Sequence, residues 1–319
     1  MDIFEAIRSD IPEDLERVLS EGADIDERDK EGNTPLHYCV EHGLPETAKE
    51  LVRRGADVNA LTEDGMTPLH LAMEKQDPDK SLVRFLVEEG KADITIKYGD
   101  SSPFHCSLDE ELTEIFLNAG GDPSSKGLRG NTVLHMAEDE GAVWKMMNWG
   151  CDIEARNNMG ETPLISTATS IYPEAVKALI ERGADKEAKN MKGRTALMQS
   201  VIYGRAGCVE ELVKGGADLE TTSQEGLPLL HACVSSDVAD DEEKLDCARI
   251  LIDAGLDPRK PDAENDSALD YAIVNGDQKI IDLLETKCHE LDAKDHAAAM
   301  MERARSRSGQ GSRGREMTL

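Results

Sequence analysis

GNTPLHYCVEHGLPETAKELVRRGADVNALTEDGMTPLH, residues 32–70, contains its own opening twice: GNTPLH at Gly32 returns as GMTPLH at Gly65. Between the copies lie a short apolar stretch, the turn HGLPE, the run ETAKELVRR (46–54) and a second motif, GADVN, at Gly55. Each piece has a local reading. Thr-Pro opens a helix, because the Thr hydroxyl accepts from an orphan N–H of the first turn and Pro is tolerated where no N–H is needed. Residues 46–54 carry apolar side chains at i, i+3 and i+4, the pattern of a second helix with one buried face. Gly55 stands where a left-handed residue ends that helix, and an extended polar segment then leads to the next Gly-x-Thr turn.

The same beat runs through most of the chain. The turn motif returns at Asp100, where it ends in SPFH (102–105), then as GNTVLH at Gly130, GETPLI at Gly160, GRTALM at Gly193, GLPLLH at Gly226 and NDSALD at Asn265, with spacings of 33, 35, 30, 30, 33, 33 and 39. The second motif keeps phase: GADID at Gly22, KADIT at Lys91, GGDPS at Gly120, GCDIE at Gly150, GADKE at Gly183, GADLE at Gly216 and GLDPR at Gly255. One helix pair cannot hide its apolar face alone, so neighbours stack in a row and share a core. A hydrophobic content of 39% with only 3% aromatics suits such a thin body better than one large core.

These motifs resemble ankyrin repeats, whose TPLH turn and 33-residue period they reproduce over residues 1–288, about nine units. The resemblance implies an all-α solenoid of stacked helix-turn-helix units with β-hairpin-like fingers. Residues 1–31 form the N-terminal cap unit, with helices over 2–9 and 12–20, and 265–288 the C-terminal unit, with helices over 267–274 and 277–286. No upstream domain is expected. Residues 289–305 read as a further, capping helix, and 306–319 as a disordered Arg/Gly/Ser tail.

Composition excludes several functions. Lys+Arg is 36 against Asp+Glu 65, a formal net charge of −29, which argues against nucleic acid and acidic membrane surfaces. No stretch approaches the roughly 18 apolar residues of a membrane span, and the start, MDIFEAIRSDIPEDLERVL, lacks the basic and apolar regions of a signal peptide. The expectation is a soluble, cytoplasmic protein, with the nucleus also open to it. Seven widely spaced cysteines without a CxxC pair support neither a disulfide framework nor zinc, and read as buried thiols. There is no phosphate-binding glycine loop, HExxH or GxSxG, and the adjacent His105–Cys106 pair has no third, orienting group. Neither an enzyme nor a cofactor or metal is expected.

By the resemblance, His37, His70, His105, His135 and His231, all at one position of the turn motif, are structural, each imidazole bridging polar groups of neighbouring turns. It also implies a concave groove built from finger tips and first helices. Carried over position by position, the partner-binding candidates are Arg129, Asn131, Met159, Glu161, Lys192 and Arg194 on the fingers and Ile202 and Tyr203 on a first helix. Units two and three offer mainly acid there, as at Glu31 and Asp64. Trp144 and Trp149 fall in a shortened unit at positions that elsewhere carry Lys49 and Arg54. They are either an aromatic anchor for a partner or rings folded over core that the shortened pair leaves uncovered. Unit eight is long, and its extra residues include the acidic run SSDVADDEEK (235–244), read as a loop between its helices that either docks a partner or is merely solvated.

The expected function is a monomeric, non-enzymatic scaffold or adaptor for a protein partner, with basic partners favoured by the acidity. An inhibitor or chaperone masking a basic protein is the second class, and a recognition subunit of a ubiquitin-ligase-type complex the third.

Overall fold

The computed structural model describes every residue except 10, 76, 100–101, 106–109, 225 and 312–319, with the side chains of 110 and 302–311 also left aside. Cys106, Glu225 and the last part of the tail therefore lie outside the described residues. The chain divides into two units, Met1–Pro163 and Leu164–Leu319.

In the first unit α1 (Ile3–Ser9) pairs with α2 (Pro12–Ser20), and α3 (Pro35–Glu41) with α4 (Pro45–Arg53). Next, α5 (Pro68–Met73) precedes α6 (Lys80–Arg84), which runs on as a π turn over Phe85–Glu89. Among the described residues a 3₁₀ turn over Pro103–His105 precedes α7 (Glu110–Asn118), and one over Val133–Met136 stands in for the first helix before α8 (Glu140–Asn148). These are the units whose turn motifs are only 30 residues apart, three short of the period. First helices pack on first helices, α1 on α3 and α3 on α5.

The second unit holds α9 (Pro163–Thr167) and α10 (Pro173–Glu181), then α11 (Ala196–Ile202) and α12 (Ala206–Lys214). Beyond them come α13 (Leu229–Val234) and α14 (Asp241–Asp253), then α15 (Ala268–Asn275) and α16 (Gln278–Gly311). Two layers result: α11 packs on α13 and α13 on α15, while α10, α12, α14 and α16 follow one another.

Local chemistry sets these ends. Thr34, Thr67 and Thr195 each cap a first helix by accepting from the backbone N–H three residues on, and Pro35 and Pro68 follow where no N–H is needed. Second helices stop at glycine: Gly183 adopts φ 89°, a left-handed conformation that an L side chain would resist. The core is aliphatic and small. Leu36, Leu51, Leu164, Leu179 and Leu212 are fully buried, and Ala48, Ala175 and Ala178 let the helices approach closely. Full burial of one such Leu stabilises the fold by roughly 1.5–3 kcal/mol. No strand occurs among the described residues. Fingers among the described residues are turns closed by a backbone hydrogen bond, as from Asp29 N to Asn33 O (3.0 Å) and from Asn190 N to Arg194 O (3.1 Å).

Two segments differ from the expectation. The acidic run 235–244 is not all loop: Asp240 caps α14, accepting from Glu243 N at 2.8 Å while the Glu243 carboxylate accepts from Asp240 N at 3.0 Å. Four of its five acids, Asp240, Asp241, Glu242 and Glu243, thus lie where a helix N-terminus favours negative charge. At the other end, residues 289–305 are no separate cap but the continuation of α16, which reaches Gly311 without a break. From His289 to Met301 this extension is exposed, apart from a half-buried Leu291. Arg259 holds it, donating to Asp292 (2.7 Å) and Asp295 (2.9 Å).

Candidate protein-binding surface

Turn-motif histidines brace the fingers: His37, His105, His135 and His231 each reach a backbone oxygen further along the chain. His37 Nδ1 accepts from Thr34 N (3.2 Å) while its Nε2 reaches the backbone oxygen of Met66 (3.1 Å), in the following turn motif. Because a backbone N–H can only donate, Nδ1 is the unprotonated nitrogen and Nε2–H is the donor. His135 repeats the arrangement with Thr132 N and Glu161 O, and His105 and His231 donate to Ser125 O and Asp266 O. At His70 the Thr67 N to Nδ1 bond recurs at 3.2 Å.

In the first unit, the fingers around 127–131 and 157–161 are joined. Asn157 Oδ1 accepts from Met159 N (2.9 Å) and Glu161 N (3.0 Å), closing its own turn. Its Nδ2 donates to Glu161 Oε2 (3.0 Å) and, across to the neighbouring finger, to Asn131 Oδ1 (2.9 Å). Asn158 N donates to Arg129 O (2.9 Å) as well. Asn131 and Glu161 are therefore tied into the fingers' internal bracing, whereas Arg129 and Met159 face solvent.

Gly127 explains the local shape. A Cβ there would lie 2.5 Å from His105 Cγ, so the Asn or Asp that braces other fingers does not fit. Without that brace Arg129 takes φ 59°, a left-handed conformation rare for a side-chain-bearing residue, and Leu128 stands 62% exposed at the tip. Trp144 and Trp149 belong to α8 and its C-cap, not to a finger or first helix. Trp144 is 41% exposed and Trp149 half-buried, while Val143 and Met146 fill the core beneath.

The second unit brings Lys192 and Arg194 onto one finger. Asn190 Oδ1 accepts from Lys192 N (2.9 Å) and Arg194 N (3.1 Å), and Gly193, at φ 68°, abuts the next finger at Gln224. Lys192 is exposed, Arg194 half-buried, and Met191 beside them is 71% exposed. Ile202 ends α11 and Tyr203 caps it, both half-buried, and Ile202 O accepts from Ser236 Oγ (2.6 Å). Leu128 and Met191 are not among the sequence-based candidates. The signal that marks them is a large apolar residue at a turn position that is Lys30, Glu63 or Gln224 in other fingers.

Burial pushes the thiols of Cys39 and Cys247 up to about 12 and those of Cys151 and Cys208 to about 11, away from the thiolate a nucleophile needs. Among the described residues no three His, Cys, Asp or Glu side chains are placed to hold a metal ion, and no helix is long and apolar enough to cross a membrane.

Tandem helix pairs braced by turn-to-turn imidazoles, with side chains displayed on fingers, define a repeat protein of the kind that presents a surface. The family model described as ankyrin repeats (3 copies) matches residues 3–98, 104–190, 134–223, 173–262 and 198–295. The chain belongs to the ankyrin-repeat family, an all-α repeat solenoid whose members are generally protein–protein interaction modules and typically non-enzymatic. No curated protein matches the chain significantly.

Proposed function

We propose that this chain is a non-enzymatic scaffold or adaptor, acting as a monomer in the cytoplasm or nucleus and holding a protein partner on its finger tips. The observation that carries this reading is the pair of hydrogen-bonded fingers 127–131 and 157–161, which present Leu128, Arg129 and Met159 to solvent on a braced backbone. Exposed apolar side chains on a rigid base lose little entropy on binding, which is what an interface anchor requires. Trp144 is a further candidate anchor on its own element.

The test is affinity capture of the tagged full chain from its own cells at about 0.15 M and about 0.5 M NaCl, since surface electrostatics weaken over that range. A stoichiometric protein retained at both salts, and lost with R129E/M159D, is the expected result. A protein retained equally by that variant, or none, counts against the reading. The acidic tips at Glu31, Glu63 and Asp64 favour a second reading, an inhibitor or chaperone masking a basic protein. Its mark is a basic partner present at the lower salt and absent at the higher.

A further inference from the structure

The charge of the fingers is uneven in a way the overall acidity hides. Over 186–194 the second unit carries Lys186, Lys189, Lys192 and Arg194 against a single carboxylate, Glu187. The corresponding stretch 219–227 has two carboxylates and no cation, and 258–266 has three carboxylates to two cations. Glu187 is already engaged, accepting from Asp218 N at 2.9 Å. Lys186 Nζ donates to Gly215 O (2.6 Å) at the end of α12, which anchors the base of the finger. Lys192 and Arg194 have no carboxylate partner among the described residues, in a chain holding 65 acidic side chains. Next to Lys192, Met191 stands 71% exposed at the tip.

Two unpaired cations beside an exposed methionine on a braced turn form a complementary surface of definite chemistry. We infer that the finger 186–194 docks an acidic polypeptide segment, its carboxylates meeting Lys192 and Arg194 and an apolar side chain packing on Met191. This inference rests on the scaffold reading above and names the chemistry of one contact. Met suits the role because its unbranched, polarizable side chain adapts to varied apolar partners. Nucleic acid offers anionic groups at greater density, but a long polyanion would extend over the surrounding acid, with the whole chain at −29. A short segment with two or three carboxylates covers the finger alone, within about one Debye length of its cations.

The test is selection of a displayed library of random 16-residue peptides on the immobilised full chain, followed by affinity measurement for the enriched sequences. Two variants are compared: K192E/R194E, and K177E/R249E, which makes the same change of net charge on second helices. The expected result is enrichment of peptides with two or more Asp or Glu beside a large apolar residue. Their affinity falls at least tenfold with K192E/R194E and stays within twofold with K177E/R249E. Enrichment of basic or uncharged peptides, no enrichment, or equal losses with both variants would overturn the inference. So would displacement of the peptides by a single-stranded RNA 20-mer binding at least as tightly. The scaffold reading is judged separately: a captured partner that depends on Arg129 and Met159 sustains it even when the peptide selection fails.

Discussion

His135 and Glu161 are 26 positions apart in the chain, yet the imidazole Nε2 of the first lies 3.0 Å from the backbone oxygen of the second. With Thr132 N donating to Nδ1 at 3.2 Å, the ring is held as one neutral tautomer that completes two turns at once. A second proton on Nδ1 would set a donor against the Thr132 N–H.

This makes stability depend on pH. Burial lowers the pKa of His37, His105 and His135 below 6.5, outweighing the backbone acceptors that raise it. The unfolded chain takes up protons near 6.5 while the folded one resists, so the contribution is complete above 6.5 and is lost as pH falls through the lower folded values. The stability advantage of the wild type over His135→Gln, from urea unfolding, should shrink between pH 7.5 and pH 5.5. An advantage constant over that range would mean that burial does not lower the pKa of His135.

Asn157 and Asn190 occupy the same turn position but use it differently. Asn190 accepts its two turn amides through Oδ1, as Asp29 and Asp262 do in their fingers, so Asn190→Asp keeps both bonds and should change stability by less than about 0.5 kcal/mol. Asn157 also donates through Nδ2 to Asn131 and Glu161, so Asn157→Asp removes two bonds and faces Glu161 with a second carboxylate. A cost of about 2 kcal/mol follows, with faster amide exchange at Met159 and Glu161. Equal costs at the two sites would contradict the bridging role of Asn157.

Two glycines should separate backbone strain from crowding. Gly183 is left-handed but open, so Gly183→Ala should cost only the conformational term, roughly 1–2 kcal/mol. At Gly130 a Cβ would also come within 2.9 Å of Asn158 N, and Gly130→Ala should cost clearly more. Thermal unfolding of both variants decides it, and a Gly130→Ala protein no less stable than Gly183→Ala would mean the two fingers are not in contact.

The acidic run should split in two. Asp240→Ala removes the cap of α14 and should cost about 1 kcal/mol, whereas Asp237→Asn should be nearly neutral. A neutral Asp240→Ala would return the segment to a simple solvated loop.

Most of the fold is legible in the sequence because its determinants are local and repeated: a Thr cap, an apolar stripe, a stop glycine. Where a determinant drops out, so does the reading. After Leu284 no glycine occurs before Gly309, so nothing ends α16 where earlier second helices end. The run DDEE reads as loop by its charge, although Asp240 and Glu243 have the spacing of a reciprocal helix cap. Leu128 and Met191 are marked in the sequence only by being apolar at the turn position where other fingers carry Lys30, Glu63 or Gln224, and the repeat pattern does not constrain that position. Their exposure comes only with the structure. Asn131 and Glu161 look like surface groups in the motif, and their engagement with Asn157 depends on contacts between successive fingers that spacing alone cannot give.

The imidazole bridges point one way along the chain, each donor preceding its acceptor: Met66 follows His37 by 29 residues and Asp266 follows His231 by 35. As the polypeptide leaves the ribosome, each of these bridging histidines emerges while the carbonyl that will receive its proton is still to come. Folding during synthesis must therefore trail elongation by about one repeat. A chain cut short strands its last histidine, while one trimmed from the front leaves every remaining donor supplied.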